Sequence, residues 1–190
     1  MRKTGRTLTA GLGWWLIWTV MLVAAAVPAR AAEVQPQLVK AAFVLNIAKF
    51  ISWPAVADNS APFNFCFYRR DSLGDAFGLL QSRGIGGREL QKSVIDNWRS
   101  SAACDLLLVP REQLLAFKLE AQDLPPRPTL VVADLTDQES KGAVHTGVHV
   151  ALVRKGARIA FEVHLDDLQR SGLKASSELL KLARIVRDNG

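Results

Sequence analysis

Residues Val39 to Pro54 constrain this chain more than any other stretch. Apolar residues recur there at helical spacing. Leu38, Ala41, Ala42, Leu45 and Ala48 make one stripe, and Phe43, Ile47, Phe50 and Ile51 widen it. Polar residues are sparse, only Lys40, Asn46 and Lys49 up to Ile51, which predicts a helix buried over most of its surface. Pro36 suits the first turn, where a missing N–H leaves nothing unpaired. Pro54 drives Trp53 out of the helical region and closes the element. A helix this short and Ala-rich is marginal alone, so its faces must pack against something larger.

The residues before it read as an export signal. Arg2, Lys3 and Arg6 make a basic start, Trp14 to Val27 is apolar apart from Thr19, and Ala29-Arg30-Ala31 offers a small-x-small cleavage pattern. The apolar run is short for a membrane span, which takes about 20 residues. An uncleaved anchor would need the run extended back through Leu12. Cleavage after Ala31 is the expectation, with 1–31 as signal peptide and 32–190 as one domain. The lack of a twin-arginine pair points to the general export route, and the lack of a lipobox cysteine points away from a lipoprotein.

Export changes what the charge means. The chain carries 24 Lys and Arg against 18 Asp and Glu, a formal +6. Arg2, Lys3, Arg6 and Arg30 precede the cleavage site and no acid does, so the remainder carries 20 against 18, a formal +2. That balance makes no case for nucleic-acid binding. Cys66 and Cys104 are the only cysteines. In an oxidising compartment an even pair is more often bridged than free, so a disulfide is expected, with two buried thiols as the alternative.

Past the helix, strand and helix patterns alternate. Residues 57–62 form a turn-rich linker. Phe63 to Tyr68 reads as a strand with Phe63, Phe65 and Phe67 on one face. Ser72 to Leu80 reads as a short helix capped by Asp71 or Ser72, Arg83 to Gly87 as a loop, and Arg88 to Ile95 as a weak strand. Asp105 to Val109 is an apolar strand ended by Pro110, followed by a helix from Arg111 to Ala121. Thr129 to Ala133 is a second apolar strand, and its unbroken run predicts cover on both faces, as in parallel sheets. Asp134 to Gly142 reads as a polar loop. Val148 to Val153 and Arg158 to Val163 read as a hairpin, and Leu165 to Ser171 as a helix stopped at Gly172. Ser176 to Arg187 reads as a closing helix buried along Leu179, Leu182, Ala183 and Val186. The pattern predicts a single α/β domain with a mixed, mainly parallel sheet, helices on both faces, and a C-terminal hairpin and helix.

No reactive constellation stands out. His145 and His149 have the i, i+4 spacing of a helical metal pair, but Gly147 and β-branched neighbours predict loop or strand. On a strand the two side chains would lie about 13 Å apart. No metal and no cofactor is expected. His164 precedes Asp166 and Asp167, and Asp166 is expected to cap the following helix. No serine lies in a Gly-x-Ser-x-Gly elbow. Gly84, Gly86 and Gly87 do not join a strand to a helix, so they make no phosphate cradle. Asp134 and Asp137 follow a strand end, where α/β sheets often carry sites, but two acids in a polar loop read as solvated. The chain reads as a non-enzyme.

Three pieces in order resemble the YfiR-like family of exported bacterial proteins. The first is Lys40-Ala-Ala-Phe43 with Asn46, Lys49-Phe50 and Trp53-Pro54, and the second is Cys104-Asp105-Leu-Leu. The third is Arg158-Ile-Ala-Phe-Glu162 with Leu173 and Ser176-Ser-Glu-Leu-Leu180-Lys-Leu-Ala183. Together they span nearly all of the mature chain. The resemblance implies a small periplasmic α/β regulator without catalysis. Such a regulator represses an inner-membrane GGDEF-type diguanylate cyclase by binding its periplasmic domain, and so controls cyclic di-GMP and biofilm formation. An OmpA-like outer-membrane lipoprotein that sequesters the repressor is the second partner implied. The resemblance also makes Cys66–Cys104 one of two family disulfides. The other would lie near Leu135 to Val148, where this chain has no cysteine, so redox control through it does not carry over. The motif residues Lys40, Phe43, Asn46, Lys49, Trp53, Pro54, Leu180 and Ala183 are expected to serve packing.

A periplasmic small-ligand sensor module acting with a kinase or transporter is the second reading, and a homodimer is left open. Exposed apolar groups would mark a docking surface. Trp53, Phe77 and Trp98 lie near loops, and Trp98, among polar neighbours, is the first candidate, although core packing is the commoner fate of all three.

Overall fold

The computed structural model describes residues 36–54, 61–139 and 147–187. Helix α1 runs Pro36–Lys49, with Pro36 in its first turn. Ala41, Val44, Leu45, Ile47 and Ala48 are buried, so the apolar stripe packs over a narrower width than its composition suggests. Phe50, just beyond the helix, is 43 % exposed. A two-residue strand, β1 (Ile51–Ser52), comes next.

The chain then lays down β2 (Phe63–Tyr68), α2 (Asp75–Gly78), β3 (Leu90–Ile95), β4 (Leu106–Pro110), α3 (Leu114–Ala121) and β5 (Leu130–Glu139). The hairpin of β6 (Val150–Lys155) and β7 (Arg158–His164) follows, then α4 (Leu165–Arg170), β8 (Lys174–Ala175), α5 (Ser177–Leu182) and β9 (Arg184–Val186). Seven strands form one sheet in the order β3-β2-β4-β5-β6-β7-β9. Every neighbouring pair is parallel except the β6–β7 hairpin. β1 and β8 form a separate antiparallel ribbon. This is the single, mainly parallel α/β domain that the sequence pattern predicts.

Alternation along the strands divides the core into two layers. Phe63, Phe65, Phe67, Leu106 and Leu108 point to one face and pack with α1, α2, Leu168 of α4 and Leu179 of α5. Cys66, Tyr68, Leu107 and Val109 point to the other, where Phe117 of α3 and Trp98 cover them. Helix α1 crosses the first face from the carboxyl edge of the sheet, where Lys40 meets Asp134, to the amino edge, where Trp53 meets Asp105.

Several local expectations need correction. The helix read over Ser72 to Leu80 is only Asp75–Gly78, although Asp71 does accept the backbone N–H groups of Leu73 and Gly74 as a cap would. Residues 134–139 continue β5 instead of forming a loop, because Asp134 is satisfied in place by Lys40 and Thr136. The closing helix stops at Leu182. Ser176 caps it by accepting Leu179 N–H, and the chain then turns extended so that Arg184 reaches the buried Glu162 of β7 at 3.0 Å. Leu182 is consequently 76 % exposed, and only Leu179 of the expected stripe is buried. Asp166 does not cap α4, whose N-cap position is His164 with no side-chain cap bond. Residues 1–31, read from the sequence as an export signal, His145, most of the 57–62 linker and residues 140–142 lie outside the described residues.

Candidate functional site

Two of the three motif pieces meet at the amino edge of the sheet. Trp53 Nε1–H donates to the Asp105 carbonyl at 3.1 Å, and the indole stands edge-on to Phe63 at 5.3 Å. The Asp105 carboxylate accepts the Asn64 backbone N–H at 2.7 Å and both arms of the Arg88 guanidinium at 2.9 and 2.8 Å. Arg88 also donates to the Ala61 and Pro62 carbonyls and lies over the Phe63 ring. Its donors and the carboxylate are thus mutually satisfied, which is what an ion pair largely withdrawn from water requires. Trp53, Pro54, Cys104, Asp105 and Arg127 border a cavity of about 500 Å³ there. The third piece joins through the β1–β8 ribbon, where Ser176 N–H donates to the Phe50 carbonyl. Phe43, Trp53, Leu180 and Ala183 pack on the first core. Asn46 and Lys49 do not: both lie on the solvent side of α1, which a helix with one buried stripe leaves to polar residues.

Cys66 and Cys104 form a disulfide with Cα atoms 5.8 Å apart, tying β2 to the residue that leads into β4. Two of the three docking candidates, Trp98 and Phe77, turn inward. Trp98 is only 5 % exposed, its ring edge-on to Phe117 at 5.4 Å and capped by Arg127 at 5.5 Å. Phe77 is 2 % exposed and packs on Phe65 and Phe67. Neither ring is available to a partner, so both are corrected to core residues. Trp98 misleads because its polar neighbours face solvent while its ring fills the gap beside Tyr68 and Phe117. Burial, with Glu120 adding to it, pushes the Tyr68 hydroxyl up to about 12.

A serine and a histidine do converge, but not as a hydrolase. His149 Nε2 lies 2.8 Å from Ser171 Oγ, while Nδ1 accepts the Val131 backbone N–H at 3.0 Å. Accepting at Nδ1 leaves the proton of the neutral ring on Nε2, so His149 cannot take a proton from Ser171. Burial, reinforced by the nearby His164, pushes His149 down to about 3. An unfolded histidine takes up its proton near its ordinary value of 6.5, so between these values the unfolded chain binds more protons and stability is lost as the pH is lowered. The urea midpoint is expected to be lower at about pH 5.5 than at about pH 7. In His149→Gln that difference shrinks, even though the variant is weaker at both; a difference of unchanged size would contradict the assignment. Among the described residues no three His, Cys, Asp or Glu side chains are placed to share a metal ion.

The most open chemistry lies at the opposite edge. The chain leaves β2 to form β3 on one side and returns to place β4 on the other, so the carboxyl ends of β2 and β4 flank a topological switch point, the usual place for ligands in open α/β sheets. A cleft of about 510 Å³ opens there, walled by Arg70, Ser72, Pro110, Arg111 and Glu112, with Lys40 from α1 and Asp134, Thr136 and Asp137 from β5. Its charged groups stand in three pairs: Lys40–Asp134 at 2.8 Å, Arg70–Glu112 at 2.9 Å, and Arg111–Asp137. The first is half-buried, whereas the other two are open to water. Ser72 Oγ is buried and has no hydrogen-bond partner among the described residues. Arg69, just before Arg70, has φ of 60°, a conformation unusual for a side-chain-bearing residue and common where strands hand over to sites. Asp134 and Asp137 were legible in the sequence as acids at a strand end. Lys40, Arg70 and Arg111 were not, because nothing local joins residues so far apart in the chain.

A family model described as YfiR/HmsC-like matches residues 37–184, which is 148 of the 190 residues. No curated protein matches the chain.

Proposed function

We infer the role of this protein from its family: the chain belongs to the YfiR/HmsC-like family. The protein is a non-enzymatic periplasmic regulator that binds and represses the periplasmic domain of an inner-membrane diguanylate cyclase, and thereby sets cyclic di-GMP and biofilm formation. An OmpA-like outer-membrane lipoprotein that sequesters it is the second proposed partner. The observation that carries this reading is the family match across nearly the whole described domain. The Cys66–Cys104 disulfide supports an oxidising compartment. Among the described residues no helix is long and apolar enough to cross a membrane.

Residues 1–31 serve as the export signal in this account, and 32–190 as the working domain. The protein recovered from the periplasm is expected to have the mass of a chain beginning at Ala32; the mass of the full chain would contradict cleavage. Affinity capture of the exported protein from detergent-solubilised membranes is expected to recover a GGDEF-type cyclase. Recovery of a sensor kinase or transporter component in its place would favour the ligand-sensor reading, which the carboxyl-edge cleft supports.

A further inference from the structure

We propose that the cleft at the carboxyl edge of β2, β4 and β5 binds a small zwitterion, a molecule with a carboxylate or phosphate at one end and a protonated amine at the other. Position is the first reason. The cleft lies at the switch point of the sheet, and its volume of about 510 Å³ falls within the range of small-molecule sites.

Charge balance is the second reason, and it selects the ligand class. The wall carries three cations, Lys40, Arg70 and Arg111, and three anions, Glu112, Asp134 and Asp137. Arg70–Glu112 and Arg111–Asp137 are exposed, and pairs of that kind hold together weakly. An arriving carboxylate or phosphate can therefore take the guanidinium forks, whose geometry suits it. A simple anion would then strand Glu112 and Asp137 without their cations. A ligand that also brings an ammonium returns a cation to that acidic wall, so the cleft favours a molecule with two opposite ends over either end alone. Lys40–Asp134, more buried and braced by Thr136, stays as a fixed wall. The inference stands apart from the cyclase, because docking on a membrane protein does not require such a cleft; a ligand here would give the regulator an input.

Isothermal titration of the exported protein tests this, with the twenty proteinogenic amino acids and O-phosphoethanolamine as zwitterionic probes. Acetate, inorganic phosphate and ethylammonium serve as single-charge probes. At least one zwitterion is expected to bind, with every single-charge probe at least about tenfold weaker. Arg70→Ala and Arg111→Ala are each expected to weaken that binding by about tenfold or more while leaving Tm nearly unchanged, since their pairs are exposed. Glu112→Gln and Asp137→Asn separate the alternatives: they weaken a zwitterion but leave unchanged or strengthen a simple anion. Three results would each overturn the proposal: no binding by any zwitterion at millimolar concentration, phosphate or acetate binding equally well, or undiminished zwitterion binding in the carboxamide variants. None of these bears on membrane capture, so failure here and failure of the cyclase reading are told apart.

Discussion

Asp105→Ala is expected to destabilise the domain by about 2–4 kcal/mol, somewhat below the range for breaking one partner out of a fully buried ion pair, because this pair keeps a little contact with water. The carboxylate lies at the start of β4 and holds three elements at once. It takes both arms of Arg88 from the β3 side, the Asn64 N–H of β2, and the motif tryptophan through the carbonyl of the same residue. Its side chain and that of Arg88 are each only 13 % exposed. Truncation leaves the guanidinium poorly solvated beneath Phe63 and the Asn64 N–H without its acceptor, and both penalties fall on the folded state alone. Asp105→Asn should lose less, because a carboxamide oxygen can still accept one bond. Arg88→Met combined with Asp105→Ala should lose less than the two single changes added together, since neither charge is then stranded. Urea denaturation of the four variants reads this directly. A loss below about 1 kcal/mol for Asp105→Ala would mean that water replaces the carboxylate and that the amino-edge cluster is not a structural hub.

Removing the disulfide is the second large effect. Cys66 and Cys104 are 38 residues apart, and closing a loop of that size restricts the unfolded chain by about 4 kcal/mol in the entropic account. Both sulfurs sit in the second core layer beside Trp98 and Leu107, so Cys→Ser would add buried hydroxyls to the measurement. Cys66→Ala with Cys104→Ala is the cleaner change. It is expected to lose about 2–5 kcal/mol, and wild-type protein unfolded and refolded in reductant should fall to within about 1 kcal/mol of it. A variant that keeps its urea midpoint would show that the two layers hold β2 against β4 without the crosslink. The comparison is made on wild-type protein in which the Cys66–Cys104 bond has formed.

The parts of the fold visible in the sequence are those where side-chain period and backbone agree. Phe63, Phe65 and Phe67 alternate because one face of β2 meets α1 and α2, and Leu106 to Val109 reads as an unbroken run because helices cover both faces of β4. The hairpin shows itself because Gly156 sits in the left-handed region between two apolar, β-branched strand segments. What failed depended on partners distant in sequence. Leu179 and Leu182 have helical spacing, yet Glu162 buried on β7 draws Arg184 into a ninth strand, and no local signal carries that demand. Asp134 resembled a loop acid until Lys40, 94 residues earlier, neutralised it within β5. The same separation hid the candidate site. Its two acids could be placed at a strand end, whereas its three cations come from a helix and two other strand ends that only the folded sheet brings together.

We propose that this protein represses a diguanylate cyclase from outside the inner membrane. Intracellular cyclic di-GMP, measured in a strain lacking the gene beside the same strain complemented with the exported protein, tests it most directly. The account predicts a rise on deletion that the exported protein reverses and that a form lacking residues 1–31 does not. Unchanged cyclic di-GMP in the deletion strain would contradict the account and detach the protein from that pathway.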